Sequence, residues 1–521
     1  MLATVLSATL HGLEGRVIRV EVDVAPGLPG FSIVGLPDAA LQESKERVRG
    51  AIRNAGFIYP PRRITANLAP ADLRKAGASL DLAIALGILL GSEQVRATGR
   101  WALLGELSLG GEVRRVPGLL PMLAALARRG ARRAIVPADG LAEARLVSDL
   151  ESLPASTLAA AVDLVRGPRS RRPRAQAPQR VELAAETAGQ TAPAEPAAWS
   201  GDLPDLSDVR GQLEARRALE IALAGGHGLL LVGPPGAGKT LLARTIPGLL
   251  PPLGDRESLS ATVVDSVAGE HPITGLVRRP PFRAPHHTIS YAGMVGGGPR
   301  LSPGEVTMAD YGVLFLDELP EFDRDVLEAL REPLEDGHVA IARVGRAAIF
   351  PARFQLVAAM NPCPCGYAGT DSSRCHCRDS LVERYAERVS GPLRDRIDLW
   401  VTMPRVAPAA LVSRAEPESS ATVAARIASC RERQVQRRGR LNSRLSGRAL
   451  RGAARLGKME ERRLVALSEL EGLSARGTER LLRVARTIAD LAEAESVDGA
   501  CLEEAARYRS PASVAAQRLA G

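Results

Sequence analysis

The chain has 521 residues, 45% of them hydrophobic and 24% charged; this is ordinary globular usage, and it excludes a fibrous fold and disorder throughout. The formal charge of +9 suits a polyanionic partner without requiring one. No run reaches the roughly 18 apolar residues of a membrane span, because the longest, around Leu80 to Leu90, is interrupted by Asp81 and Gly87.

At roughly 100–200 residues per domain, the length predicts about three domains. Over residues 1–165, Arg16 to Val24 alternates with period two, as a strand does, and Ala39 to Ala55 has helical spacing with interleaved charges. A mixed α/β domain follows. The N-terminus lacks a basic n-region, so no signal peptide is expected and the location expected is cytoplasmic. Residues 166–202 read as a linker, basic at its start (GPRSRRPRAQAPQR) and then rich in Ala, Thr, Pro and Glu. From 203 to 405 strands alternate with helices, the pattern of an α/β domain with a parallel sheet. Residues 406–521 turn helical, with apolar spacing of three and four over Ala421 to Arg438, Lys458 to Glu471, Gly477 to Glu493 and Gly499 to Tyr508.

Of 68 basic residues all but four are arginines, so each lysine is informative. Between Lys75 and Lys458 there is one, Lys239, and it lies in Gly233-Pro234-Pro235-Gly236-Ala237-Gly238-Lys239-Thr240. An apolar strand, Leu229 to Val232, leads into this segment, and LLARTIPGLL reads as a helix after it. Strand, GxxxxGK[ST] and helix together specify a phosphate loop. Backbone N–H groups cradle phosphate oxygens, Lys239 reaches the β and γ phosphates, and Thr240 ligates Mg²⁺. A compact ammonium suits that cradle better than a planar guanidinium, so the arginine bias stops there. The expected cofactors are ATP and Mg²⁺.

A second strand, Val313 to Leu316, ends in Asp317-Glu318, placing Asp317 to hold Mg²⁺ and Glu318 to polarise the attacking water. A third, Phe354 to Ala359, ends at Met360-Asn361-Pro362, and an amide at a strand end is placed to orient that water. Cys363, Cys365, Cys375 and Cys377 then form two tight pairs on a short loop, which suits tetrahedral Zn²⁺ in a compartment that disfavours disulfides. His376 lies between the second two as a possible substitute ligand. Arg374 and Arg378 flank that pair as candidate phosphate-facing charges. Cys430 and Cys501, isolated on helical segments, read as core residues.

The phosphate loop, LFLDE, AAMNP and GPLRDRIDL (391–399) resemble the magnesium-chelatase clade of AAA+ ATPases. APGLPGFSIVGLPD (25–38), ITANLAPADLRKAG (64–77), FRAPHHTIS (282–290), GEVTMADYGVLFLDELPEF (304–322), NPCPCGY (361–367) and ARTIADL (485–491) narrow the resemblance to the YifB/ComM family. The resemblance covers all but the linker. It implies an AAA+ P-loop NTPase core over 203–405 with a zinc-binding insert over 361–378, an N-terminal Lon-protease-like domain over 1–165 and a C-terminal helical domain over 406–521. It further implies Arg396 as an arginine finger acting across a subunit boundary, Arg476 at the sensor-2 position, a hexameric ring, and a DNA motor of the branch-migration kind used in natural transformation. Arg394 stands where relatives commonly carry an uncharged residue. The alternative function is a chelatase-type ATPase that remodels a protein partner for metal insertion.

A Lon-type protease needs a serine activated by a lysine. Ser79 lies near the expected serine, but the segment where the lysine should fall reads Leu119-Leu120-Pro121-Met122, so no peptidase activity is expected. Gly337 to Phe350 reads as a hairpin with Arg343 and Arg346 near its tip. In related ring ATPases such a hairpin grips DNA, and the glycine-rich insert 282–300 resembles a second pore loop. His286 and His287 match the family text, but sequence chemistry assigns them no role.

Overall fold

The computed structural model describes residues 1–75, 77–167, 203–298, 301–343, 346–369, 374–407 and 417–509. The expected linker lies, from residue 168 on, outside them. Two compact units are present: one comprises Met1–Ala197 with Leu259–Val277 and Gly298–Ser302, the other the remainder. No helix among the described residues is long and apolar enough to cross a membrane.

The first unit is built on a seven-stranded sheet: β1 (Leu2–His11), β2 (Glu14–Ala25), β3 (Gly30–Val34), β4 (Arg63–Ala69), β5 (Ala102–Leu103), β6 (Arg133–Pro137) and β7 (Glu151–Ala155), in the order β3-β4-β2-β1-β5-β6-β7. The period-two pattern sends Ile18, Val20, Val22 and Val24 of β2 inward, while Arg19 and Asp23 stay exposed. Each large apolar side chain so buried contributes about 1.5–3 kcal/mol. The interrupted apolar run becomes the helix Asp81–Gly91, buried nearly all round. Gly87 is required there because a Cβ would stand 2.5 Å from Cγ2 of Val22.

The second unit holds a five-stranded, all-parallel sheet: β8 (Leu229–Val232), β9 (Phe282–Arg283), β10 (Val313–Leu316), β13 (Gln355–Met360) and β14 (Leu399–Thr402), in the order β9-β10-β13-β8-β14. A separate hairpin, β11 (His338–Arg343) and β12 (Arg346–Pro351), leads into β13 and is paired from His338↔Pro351 to Arg343↔Arg346. Apolar clusters cover both faces of the sheet, which is why its strands read as continuous apolar runs rather than alternating ones. One cluster continues into the helices Ser420–Arg438, Ala475–Leu491 and Gly499–Arg507, joining the sheet to the helical C-terminal region through Leu219, Ile427 and Leu502. The helix expected after the phosphate loop breaks at Thr245 into Lys239–Arg244 and Ile246–Leu249, where Pro247 removes a backbone donor.

Candidate active site

Strand order and register put the motif residues side by side. Val232 lies opposite Met360, and Leu316 opposite Ala358, so neighbouring strand ends release Gly233, Asn361 and Asp317 at one edge of the sheet, the edge where open α/β sheets bind ligands. Gly236 (φ +79°) and Gly238 (φ +91°) adopt left-handed backbone that glycine alone tolerates freely, and the helix begins at Lys239. Lys239 Nζ donates to Gly233 O at 2.6 Å, Pro234 O at 3.1 Å and Asn361 Oδ1 at 3.0 Å. Burial pushes the Lys239 pKa below its usual value, against the opposing pull of Asp317 and Glu318. Thr240 Oγ1 donates to Asp317 Oδ2 at 2.6 Å, joining the two residues expected to share Mg²⁺.

A cleft of ≈ 410 Å³ runs along Pro235 to Leu241, Asp317, Glu318 and Asn361. Beside it, an opening of ≈ 530 Å³ is lined by Val209, Arg210, Gln212, Arg405 and Val406 together with the loop. Gln212 Nε2 ties that wall together, donating to Ala237 O at 3.1 Å and Pro404 O at 2.6 Å. Sequence reading missed this wall because nothing in those residue types marks it; only the fold brings 209–212 to 405.

A third opening, ≈ 540 Å³, shares Thr240, Asp317 and Glu318 and is walled by residues 282–287, which resolves the unassigned histidines. Strand β9 pairs in parallel with β10, Arg283 opposite Leu314, and the loop that leaves it carries His286 and His287 to the opening shared with Asp317 and Glu318. His287 Nδ1 stands 3.4 Å from Glu318 Oε2, the His286 ring packs against His287 at a tilt of 33° with centroids 4.1 Å apart, and Arg283 is anchored by a two-pronged pair to Glu305 at 2.7 Å. Glu318 itself has φ +53°, a strained setting for a non-glycine residue.

Arg396 is held elsewhere. It donates through Nη1 to Pro392 O at 2.8 Å and through Nη2 to Glu335, a carboxylate that Arg476 also approaches at 3.9 Å. Glu335 is held below its usual pKa by Arg396 first and then Arg476. Neither arginine lines the three openings. Arg394 is exposed.

The four cysteines converge. Their Sγ atoms all lie within 4.8 Å of one another, with separations of 3.3, 3.7 and 4.0 Å among Cys363, Cys365 and Cys375. Tetrahedral Zn–S bonds of about 2.3 Å require roughly 3.8 Å between sulfurs, so the set fits zinc. Burial pushes Cys363 up to about 12. Burial also raises Cys365, but the Tyr367 N–H and the neighbouring thiols outweigh it and bring that group to about 7. His376 is exposed and outside the cluster, and Arg374 and Arg378 are exposed beside it. Cys430 and Cys501 are buried. The Arg343 and Arg346 side chains and residues 344–345 lie outside what the structure describes.

In the first unit, Ser79 Oγ donates to Ala8 O at 3.1 Å and Lys75 Nζ donates to Pro70 O. Met122 is buried in the helix Leu119–Arg128. Both polar groups are thus occupied by backbone carbonyls rather than by each other.

Family models agree with this architecture. A model of magnesium chelatase subunit ChlI matches residues 205–411, one of its C-terminal region 417–509, and one of subunit ChlI of Mg-chelatase 20–140. The chain is 42% identical to the uncharacterized protein YifB of Salmonella typhimurium over 513 residues, covering 98% of this chain and 97% of that one. It is 41% identical to the competence protein ComM of Haemophilus influenzae over 516 residues, again 98% and 97%. The magnesium-chelatase subunit ChlI of Euglena gracilis is 26% identical over 157 residues, covering 26% of this chain and 45% of that one.

Proposed function

The chain belongs to the YifB/ComM family of magnesium-chelatase-like AAA+ ATPases, and from that premise we propose that it is a ring-forming motor, acting as a hexamer, that couples ATP hydrolysis to movement on DNA. One observation carries the reading. The phosphate loop, Asp317, Glu318 and Asn361 meet at one sheet edge, while Arg396 and Arg476 sit together on Glu335, away from it. A pocket that neither Arg396 nor Arg476 of its own chain lines can receive them from a neighbour, as in NTPases where an arginine finger is supplied in trans.

In this reading residues 233–240 bind the triphosphate, Lys239 exchanging its carbonyl partners for phosphate oxygens. Thr240 and Asp317 hold Mg²⁺, which neutralises phosphate charge there. Glu318 polarises the attacking water, Asn361 orients it, and Arg396 and Arg476 of one subunit stabilise charge in the pocket of the next. Cys363, Cys365, Cys375 and Cys377 hold one Zn²⁺. The hairpin carrying Arg343 and Arg346 grips the DNA backbone, with Arg374 and Arg378 as further phosphate contacts. The domain over 1–165 serves as a non-proteolytic scaffold, 166–202 as a linker, 203–405 as the ATPase domain and 406–521 as the helical domain, all cytoplasmic. The ComM relative's name, a competence protein, supports a DNA polymer over a protein client.

The test is ATP-dependent migration of a labelled three-strand DNA junction, alongside ATPase rates with and without single-stranded DNA. Stimulation by DNA and ATP-dependent strand exchange are expected. A rate indifferent to DNA at low salt overturns the motor and moves the reading to the chelatase-type remodeller suggested by the ChlI matches.

A further inference from the structure

We propose that the cysteine cluster and the nucleotide pocket are thermodynamically linked: metal held by the four thiols braces the phosphate loop, so metal and nucleotide each strengthen binding of the other. The proposal rests on the reading of the thiols as a zinc site.

The stretch 361–367, which contains the first cysteine pair, touches the pocket at three points. Asn361 accepts the Lys239 ammonium at 3.0 Å. Gly366, at φ +88°, turns the chain flush against the loop: a Cβ there would stand 2.6 Å from Pro235 Cδ and 2.8 Å from Cγ. The Tyr367 ring takes the guanidinium of Arg405 at 5.7 Å from its centroid, and Arg405 lines the opening beside the loop.

Cys363 itself is fully buried, and Ala368 N donates to its sulfur at 3.3 Å. The first half of the cluster therefore lies on the same short segment as Asn361, which lines the pocket. The second half, Cys375 and Cys377, arrives from beyond a loop whose tip, 370–373, lies outside the described residues. Thiol–thiol contacts are weak, so under reducing conditions that disfavour a disulfide a metal is the strong link between the two halves. Fastening Cys363 and Cys365 to the second pair removes freedom from the chain on either side of Pro362, and hence from Asn361 and Gly366. Ligands that each favour the same ordered wall must favour each other, and by equal factors. Couplings of this kind typically amount to about 5–150-fold, and an effect of about tenfold, within that range, is the one expected here.

The experiment begins with zinc content by elemental analysis of the full chain, then measures Zn²⁺ affinity by equilibrium competition with a metallochromic chelating dye, and the release rate to it, with and without saturating Mg-ADP. One zinc per chain, held about tenfold more tightly with nucleotide, is expected. Reciprocally, zinc-stripped protein should bind ADP about tenfold more weakly and recover on adding Zn²⁺. Gly366→Ala leaves all four thiols in place, so it should keep its zinc but lose the protection by nucleotide. Dye-competition affinities for Zn²⁺ that are identical with and without Mg-ADP in the wild-type protein overturn the linkage, and identical release rates beside them show that no kinetic effect hides behind the equality. Protein that holds no zinc and takes none up overturns the metal reading itself, which distinguishes the two failures.

Discussion

The sheet edge at the phosphate loop and the helix carrying ARTIADL are both rich in charged motif residues, and they treat charge in opposite ways. At the sheet edge the partners are exchangeable. Lys239 rests on carbonyls of its own loop, Thr240 on Asp317, and the Glu318 side chain is 54% exposed. In the helix Ala475–Leu491 the partners are permanent. Asp490, 2% exposed, accepts both Nη atoms of Arg437 at 2.6 Å, Arg486 Nη2 at 2.8 Å and Asn442 Nδ2 at 2.8 Å. Arg486 is fully buried, and Thr487 contacts His227 Nε2 at 2.8 Å. A site that must admit a charged ligand keeps bonds that phosphate can replace, whereas a site that must hold helices together surrounds a buried carboxylate with several donors. Motif text alone does not separate the two; the partners do.

The largest effect that could break this contrast is on turnover. Arg396→Ala should lower ATP hydrolysis by about 10³-fold or more with nucleotide affinity and unfolding midpoint unchanged, because Arg396 pairs with an exposed carboxylate rather than a buried one. Mixing it with Glu318→Gln chains should restore activity, since a Glu318→Gln neighbour still supplies its arginine to an intact pocket. No recovery at any mixing ratio would place the finger elsewhere.

Asp490→Ala is the opposite case. It strands Arg486 in the core, and breaking a buried charge network costs about 3–5 kcal/mol, readable as a lower urea midpoint at constant slope. A loss under about 1 kcal/mol would mean that the network is dispensable and the contrast wrong.

A smaller effect follows from pH. Burial raises the Asp490 pKa, but the hydrogen bonds from Arg437 and Asn442 and the charge of Arg486 outweigh it and hold the group below the usual carboxylate value. Asp398 is likewise depressed, its burial outweighed by His227 and Arg480. A carboxylate whose folded pKa lies below its unfolded one contributes stability above about pH 4 and loses it as pH falls through the folded value. Acid titration of unfolding should therefore steepen below about pH 4 in the wild type and flatten in Asp490→Ala. Equal acid sensitivity in both would remove Asp490 from the account.

Most of the fold was legible because its signals are local. The apolar runs at 229–232 and 313–316 match strands residue for residue, and four C-terminal helices begin and end within two residues of their apolar periodicity, while the short helix Gly447–Ala454 was not read from the sequence. The phosphate loop and the cysteine pairs were legible because their chemistry depends on spacing along the chain. What depends on distance across the fold was not. Glu335 gives no hint in sequence that it gathers two arginines, and residues 209–212 become a pocket wall only when packed near 405. Leu259–Val277 lies between two ATPase motifs yet groups with the N-terminal unit, where Ser266 Oγ donates to Glu143 at 2.5 Å. His287 acquires a neighbour only because the loop after β9 folds back to the end of β10.

That histidine offers the finest test of the contrast. Its contact with Glu318, at 3.4 Å between half-exposed groups, belongs to the exchangeable class, and pairs of that class are worth about 0.2–1 kcal/mol. If His287 restrains the Glu318 carboxylate in the nucleotide-free site, His287→Ala should raise DNA-independent turnover by roughly 1.4- to 5-fold, the same energy expressed as a rate. KM for ATP and the unfolding midpoint should stay put, because neither phosphate contacts nor core packing change. His287→Asn, whose amide N–H can take the place of Nδ1, should behave as wild type. A fall in turnover for Ala that Asn does not rescue would instead make His287 a supporting wall of the cleft, and Glu318 would then belong with the permanently held residues.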